Sequence, residues 1–461
     1  MICKMRFQSH FTTLDQYFCG HGSHQLQKER AFFQFEVIYL QAPYTHDPLR
    51  LDASSVVFWL FIQTKTNAAM GSGMSREFDV IIYGASGFTG RLVAEYMGKT
   101  HGDSANWAMA GRNEAKLAEV RDLVGAPSTT PLVTADASDS DSLRAMVKRA
   151  RCICTTVGPY QLYGSELVKL CAEEGTHYVD LSGEPGWMHE MITSHQAAAE
   201  ASGARIVHSC GFDSIPFDLG VYFLQKAAIA QTGKPMPRVR GRVRAMNGEF
   251  SGGTAASLGA TMAALKTNPG LIKILANPFS LANGFQGPEQ PSDAKPYEDE
   301  VVGSWVAPFI MAPINTKNVH RSNAMLNHLY GEDFQYDEMM VTGPGDQGAA
   351  VAKMVASSNP LEGDDVPKPG EGPSKESREA GHYDVLFVGT NDEGSRIEAT
   401  VTGDMDPGYG STSKMIAESA LCIVHDCPDL PGGVYTPAPA MGEKLIERLV
   451  ANAGLTFDLG S

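Results

Sequence analysis

From residue 78 onward the chain alternates short, continuously apolar runs with longer segments of helical period. The apolar runs fall at 78–83, 107–110, 131–135, 152–157, 177–181 and 205–209, and each is rich in Val, Ile, Ala or Tyr. Between them, 91–97, 113–124, 139–150, 162–175 and 187–201 place apolar residues three and four apart. Strands that are apolar on both faces, separated by amphipathic helices, predict a parallel, doubly wound sheet of Rossmann type over about 75–225.

Beyond about 230 the period changes. Residues 238–244 alternate strictly, with Arg238, Arg240, Arg242 and Arg244 on one face. Such a face either binds an anion or is an ordinary sheet face paired with acids such as Glu398, and the second reading is the simpler. Runs at 383–388 and 396–401 extend the same sheet, so 226–455 is predicted as an α+β domain with a mixed or antiparallel sheet for substrate or oligomer contacts. Residues 251–254 open a small-residue helix over 255–265, which faces a cleft or is simply tightly packed. The apolar stretch 301–314 lacks a flanking basic cluster, which favours core or pocket wall over a membrane patch. Residues 361–380, rich in Pro, Gly, Glu and Asp, are predicted as a flexible loop. Amphipathic helices at 415–424 and 441–450 are expected to close the second domain.

Composition changes the picture at the front of the chain. Residues 1–73 hold 12 of the 39 aromatic residues and show no sustained period. They carry 6 Lys+Arg against 5 Asp+Glu, while the rest carries 31 against 48. The segment lacks the ordered parts of a secretory signal and the alternation of a transit helix. It is expected to be disordered, or a translated upstream stretch before a functional start at Met74. The net charge of −16 argues against general nucleic-acid binding. No apolar run reaches the roughly 18–20 residues of a membrane span. The 8 cysteines form no CxxC pair, so no structural zinc site is expected, and Cys152 and Cys154 read as buried thiols in a reducing, cytoplasmic setting.

The first strand runs into Gly84-Ala85-Ser86-Gly87-Phe88-Thr89-Gly90 and then a helix. Strand, glycine turn and helix in that order form a phosphate-binding unit, because the turn lets backbone amides approach a pyrophosphate at a helix N-terminus. The spacing is GxxGxxG rather than GxGxxG, and the flanking elements strengthen it. After the second strand stand Gly111-Arg112-Asn113 and, a turn later, Lys116. A carboxylate there would hold a ribose hydroxyl; a guanidinium suits a 2′-phosphate, so NADP(H) is the expected cofactor. Asp136 is placed for the adenine end or for capping a helix. Gly158, Pro159 and Tyr160 follow strand four, where a nicotinamide ribose would pass.

These residues together resemble the saccharopine dehydrogenase-like oxidoreductases, the family that includes trans-acting enoyl reductases. The resemblance rests on GASGFTGR (84–91), AGRN (110–113), VGPYQLYG (157–164), GTHYVDLSGE (175–184), GFDSIPFDLG (211–220), DPGYGSTSKM (406–415) and GGVYTPAPAMG (432–442), and it spans about 75–455. It implies an NADP-dependent oxidoreductase acting on an apolar or acyl small molecule in lipid or glycolipid metabolism. It also implies, for some members, peripheral contact with a membrane or lipid droplet; a homodimer is a further expectation, which the sequence itself does not fix. The alternatives are a saccharopine-type amino-acid reductase, or a lipid-surface protein with a vestigial cofactor site. Candidate proton donors at the strand ends are Tyr160, Tyr163 and Asp180, with Glu184 and Asp213 beside them. Asp180 and Glu184 could equally cap the helix near Trp187, and Asp213 or Ser214 could cap the helix that begins at Ile215.

Overall fold

The computed structural model describes residues 76–248, 252–358 and 370–460. The expectation for 1–73 lies outside the described residues. In chain order the first half runs β1 (Phe78–Tyr83), α1 (Phe88–Tyr96), β2 (Trp107–Gly111), α2 (Glu114–Leu123), β3 (Leu132–Thr134), α3 (Ser140–Val147), β4 (Ala150–Thr155), α4 (Tyr160–Tyr163), α5 (Ser165–Glu174), β5 (His177–Val179), α6 (Pro185–Ser202), β6 (Arg205–Val207) and α7 (Ile215–Thr232). The second half runs β7 (Arg238–Asn247), α8 (Gly252–Thr267), α9 (Leu271–Ala276), β8 (Tyr297–Asp299), β9 (Ser304–Pro308), α10 (Ala312–Met325), β10 (Gln335–Gly343), α11 (Gly345–Ser357), α12 (Lys375–Ala380), β11 (His382–Thr390), β12 (Arg396–Gly403), α13 (Thr412–His425), β13 (Gly433–Tyr435), α14 (Pro437–Asn452) and β14 (Leu455–Leu459).

The first sheet is parallel throughout, in the order β13-β6-β5-β4-β1-β2-β3. Its direction of winding reverses between β1 and β4, which opens a crevice at the C-terminal ends of those strands. The continuous apolar runs follow from burial on both faces: Val80, Ile81, Ile82, Ile153 and Cys154 are all inaccessible to solvent. Asn113 caps α2 by accepting from the Lys116 amide, and Asp139 caps α3.

The second sheet has the order β14-β12-β11-β7-β10-β9-β8, with β7 and β10 parallel and the other pairs antiparallel. On β7 three of the four arginines are taken up by acids of the sheet itself, and Arg240 bonds the Thr390 hydroxyl at 3.1 Å. Arg238 pairs with Asp337, and Arg244 reaches Asp384 at 2.7 Å. Arg242, fully buried, lies 2.7 Å from Asp299 and 3.0 Å from Asp337. The expected partner Glu398 instead binds Arg396 on its own strand. Replacing Arg242 by methionine leaves buried Asp299 without its cation and Asp337 with Arg238 alone, and should cost about 3–5 kcal/mol of folding stability. Urea unfolding checks this; a loss below about 1 kcal/mol, the size of a surface ion pair, would contradict the buried triad.

Two expectations need correction. Residues 412–452 were placed with the second domain, but α13 packs on α1, β1, β4 and β5, and β13 joins the first sheet beside β6. Nor is α13 amphipathic: Thr412, Ser413, Glu418 and Ser419 are as buried as its apolar residues. Glu418 is matched by Tyr96 at 2.7 Å, His101 at 2.7 Å and Arg448 at 3.1 Å. The loop expected over 361–380 contains α12, capped by Ser374; residues 361–369 lie outside the described residues. One apolar core joins both sheets, from Val80 and Cys154 through Phe212 and Phe217 to Val243 and Phe387.

Candidate functional site

The turn after β1 is shaped by two glycines. Gly84 has φ +91°, and a Cβ there would meet the Val157 and Thr156 side chains at 2.8 and 2.9 Å. A Cβ on Gly90 would stand 2.1 Å from the Gly84 carbonyl oxygen, so only glycine lets α1 start this close to the turn. The turn closes through a bond from the Gly87 amide to Gly84 oxygen at 2.9 Å. No side chain caps α1, and no acid lies in its first turn. The positive end of the helix therefore faces the crevice uncompensated. Ala85 is buried beneath the turn; Ser86 and Thr89 are half-buried, and Gly87 is exposed. Phe88 turns away to pack edge-on against Tyr409, with Arg91 and Arg378 over its ring.

At the end of β2, Arg112 and Lys116 are exposed and make no ion pair or side-chain hydrogen bond among the described residues. Ser86 is drawn beside them, its hydroxyl 3.6 Å from where a Gly111 Cβ would stand. The alternative of a surface ion pair for Arg112 is not what the geometry shows. Asp136 accepts from the amide and hydroxyl of Ser138, at 2.9 and 2.8 Å, and these bonds hold its carboxyl below the usual range. It shapes its own loop, and the capping role belongs to Asp139. A helix N-terminus without a cap, a cradle that any Cβ would fill and two free cations where a 2′-phosphate would lie all fit NADP(H).

The ends of β4, β5 and β6 are held by a buried network. Asp180 is inaccessible to solvent and accepts from the Tyr178 hydroxyl at 3.0 Å and the Ser182 and Ser209 amides at 3.0 and 2.9 Å. His208 Nδ1 lies 2.7 Å from its second oxygen. Glu184 accepts from the Tyr160 and Gln161 amides, both at 2.9 Å, and so caps α4 rather than the helix near Trp187. The Tyr160 hydroxyl is fixed between Thr155 oxygen and the Leu181 amide, and its ring stacks on Trp187 at 5.5 Å. Burial next to Asp180 drives the Tyr160 hydroxyl far above its ordinary pKa.

The three candidate proton donors differ in what surrounds them. Tyr160 and Asp180 have their polar atoms committed inward, which suits positioning of the strand ends and not proton transfer to a ligand. Tyr163 is the opposite case: 48% exposed at the end of α4, its hydroxyl without such bonds among the described residues. His208 was overlooked because it reads as the fourth residue of an apolar strand. Its place at a strand terminus was the available signal. Asp180→Ala should lose roughly 3 kcal/mol of stability, since four donors lose one buried acceptor. Thermal melts of apoprotein and cofactor-loaded protein should fall together.

A parallel sheet with a glycine turn at its switch point is the architecture of a dinucleotide-binding protein. The family model described as the saccharopine dehydrogenase NADP binding domain matches residues 80–207. A Mycobacterium tuberculosis protein, given the name trans-acting enoyl reductase provisionally, is 41% identical over 83% of this chain and 97% of its own length. The trans-acting enoyl reductase of Mycobacterium bovis is 36% identical over 82% and 97%. Among solved structures, apo saccharopine dehydrogenase of Saccharomyces cerevisiae aligns at TM-score 0.45 and 13% identity, covering 83% of this chain and all of that one. The chain belongs to the trans-acting enoyl reductase family of saccharopine dehydrogenase-like proteins. It is an NADP(H)-dependent oxidoreductase.

Proposed function

We propose that the protein reduces an enoyl or keto group of a lipid-linked substrate, with NADPH held by residues 84–90, Arg112 and Lys116. The observation that carries the substrate class is a set of exposed apolar side chains on the helices that follow or pack near the strand ends. Leu162 and Tyr163 on α4, Met262 on α8 and Ile272 on α9 are 62%, 48%, 53% and 57% exposed. A bond from Gln161 to Thr261 at 3.2 Å ties α8 to α4, and Leu271 abuts Gly186 at the start of α6. Exposed apolar side chains on helices tied to α4 and α6 would give an acyl chain a wall to lie on. A saccharopine-type substrate would need converging arginines, and three of the four on β7 are spent on acids of their own sheet. The relatives' name, enoyl reductase, points the same way.

The bound cofactor supplies the hydride. The chain's own part is to orient the acceptor at the strand ends, exclude water with the α4–α8–α9 wall and deliver a proton. The same wall is the surface through which a peripheral lipid contact would be made; among the described residues no helix is long and apolar enough to cross a membrane. The test is direct. Purified protein should bind NADPH in the micromolar range, and consume it with a trans-2-dodecenoyl or 3-ketoacyl thioester. Consumption only with a 2-oxo acid plus an amino acid would overturn the substrate class, and absence of NADPH binding would overturn the cofactor site.

A further inference from the structure

At the end of β6 the chain is clamped on both sides of one acid. Phe212 is buried, its amide bonded to the Thr412 hydroxyl at 2.9 Å and its ring 4.7 Å from Tyr383. Ser214 is inaccessible to solvent, its hydroxyl between Asn315 at 3.0 Å and Asn318 at 2.8 Å. Asp213, between these fixed neighbours, is half-buried, and its carboxylate has no hydrogen-bond or ionic partner among the described residues. It does not cap α7, and neither does Ser214. Its Oδ2 lies 3.9 Å from the place a Gly183 Cβ would occupy, in company with the Met311 methyl at 3.7 Å from that point. Gly183 is exposed, in the loop after β5, and β5 neighbours β4, whose C-terminal end borders the crevice.

We propose that Asp213 is the proton donor of the reduction, giving its carboxyl proton to the substrate carbon α to the carbonyl. The assignment rests on the reductase reading above and deepens it. In reducing a conjugated double bond, the β-carbon gains a hydride, supplied by the cofactor, and the α-carbon must gain a proton. The O–H bond of Asp213 breaks, a C–H bond forms at the α-carbon, and the carboxylate left behind is reprotonated by solvent through the opening at Gly183. A carboxyl with no hydrogen-bond or ionic partner among the described residues, between two fixed neighbours, is an arrangement that keeps the acid form available. Burial raises this carboxyl to about 6, close to the working range of a general acid. The charged groups on the neighbouring strand ends are turned elsewhere: Asp180 and His208 face each other, and Glu184 faces α4.

Three measurements on wild type, D213N and D213E test this. NADPH affinity should agree within threefold between wild type and D213N, which also checks folding. Turnover of trans-2-dodecenoyl-CoA should fall roughly 100-fold or more in D213N. It should recover in part in D213E. The wild-type rate should decline as pH rises above about 6, the range in which burial places this carboxyl, and that dependence should vanish in D213N. Independently of substrate, NADP+ binding near pH 6 should release more protons from wild type than from D213N, read by calorimetry in two buffers, because a cationic nicotinamide favours the carboxylate. Turnover within threefold of wild type in D213N, or equal proton release, would overturn the assignment. A wild type that binds no NADPH would instead overturn the reductase reading on which it stands.

Discussion

A chain with alanine at Gly90 is expected to fold and to lose NADPH binding by two orders of magnitude or more. The new Cβ would lie 2.1 Å from Gly84 oxygen, 2.7 Å from Gly84 carbon and 2.9 Å from the Ala85 Cα. All three are backbone atoms, so no rotamer change relieves the clash, and α1 must withdraw from the turn. Overpacking of this kind costs about 1–3 kcal/mol of stability. The larger effect falls on the ligand. Amide bonds to a charged phosphate are worth about 1.5–3 kcal/mol each, and losing two of them exceeds a hundredfold in affinity. Gly87→Ala is the informative companion, because its Cβ would stand 3.2 Å from the same oxygen at an exposed position. It should leave the melting temperature nearly unchanged while weakening NADPH less than Gly90→Ala does. Fluorescence titration of NADPH against both variants decides the matter; a Kd for Gly90→Ala within threefold of wild type would remove the turn from the binding site.

The first sheet was legible because its signals are local. A strand such as 78–83 and the helix after it announce themselves within a dozen residues, and the glycine turn lies between them. What was not legible depends on contacts across hundreds of residues. The strand Gly433–Tyr435 is three residues long, and nothing within it says that it will lie beside β6. Helix α13 looked amphipathic because Glu418 and Ser419 are polar. Their burial depends on Tyr96, His101 and Arg448, which arrive from other elements, and on the Met415 carbonyl one turn back.

The candidate site divides along the same line. The type of chemistry at β1 and β2 could be read from residue types in order, because backbone and exposed cations carry it. The strand-end acids could not be ranked from order alone. Asp180, Glu184 and Asp213 look equivalent as sequence, yet one is bound by His208 and Ser209 from the next strand's end, one caps α4, and one has no partner among the described residues. Which carboxylate is free is a property of what the fold brings to it.

Reversal of the cofactor preference is expected from Arg112→Asp. Arg112 is exposed and unpaired among the described residues, so its replacement should change stability by about 0.5 kcal/mol or less. Helix α2 keeps its start, because Asn113 and not Arg112 supplies the cap. Against the 2′-phosphate the effect is large. Removing a charge-assisted contact costs about 1.5–3 kcal/mol, or roughly 10–150-fold in Kd, and the introduced carboxylate adds repulsion. NADH has no such phosphate, and its affinity should hold or improve as the new carboxylate meets a ribose hydroxyl. Lys116→Ala should act in the same direction with a smaller effect, since a flexible ammonium in solvent is screened. Raising the salt concentration should accordingly weaken NADPH more than NADH in wild type, and this difference should shrink or reverse in Arg112→Asp, where salt also screens the new repulsion. Parallel titrations of the two coenzymes measure all of this, and a variant that still prefers NADPH by the wild-type ratio would move the origin of selectivity away from the end of β2.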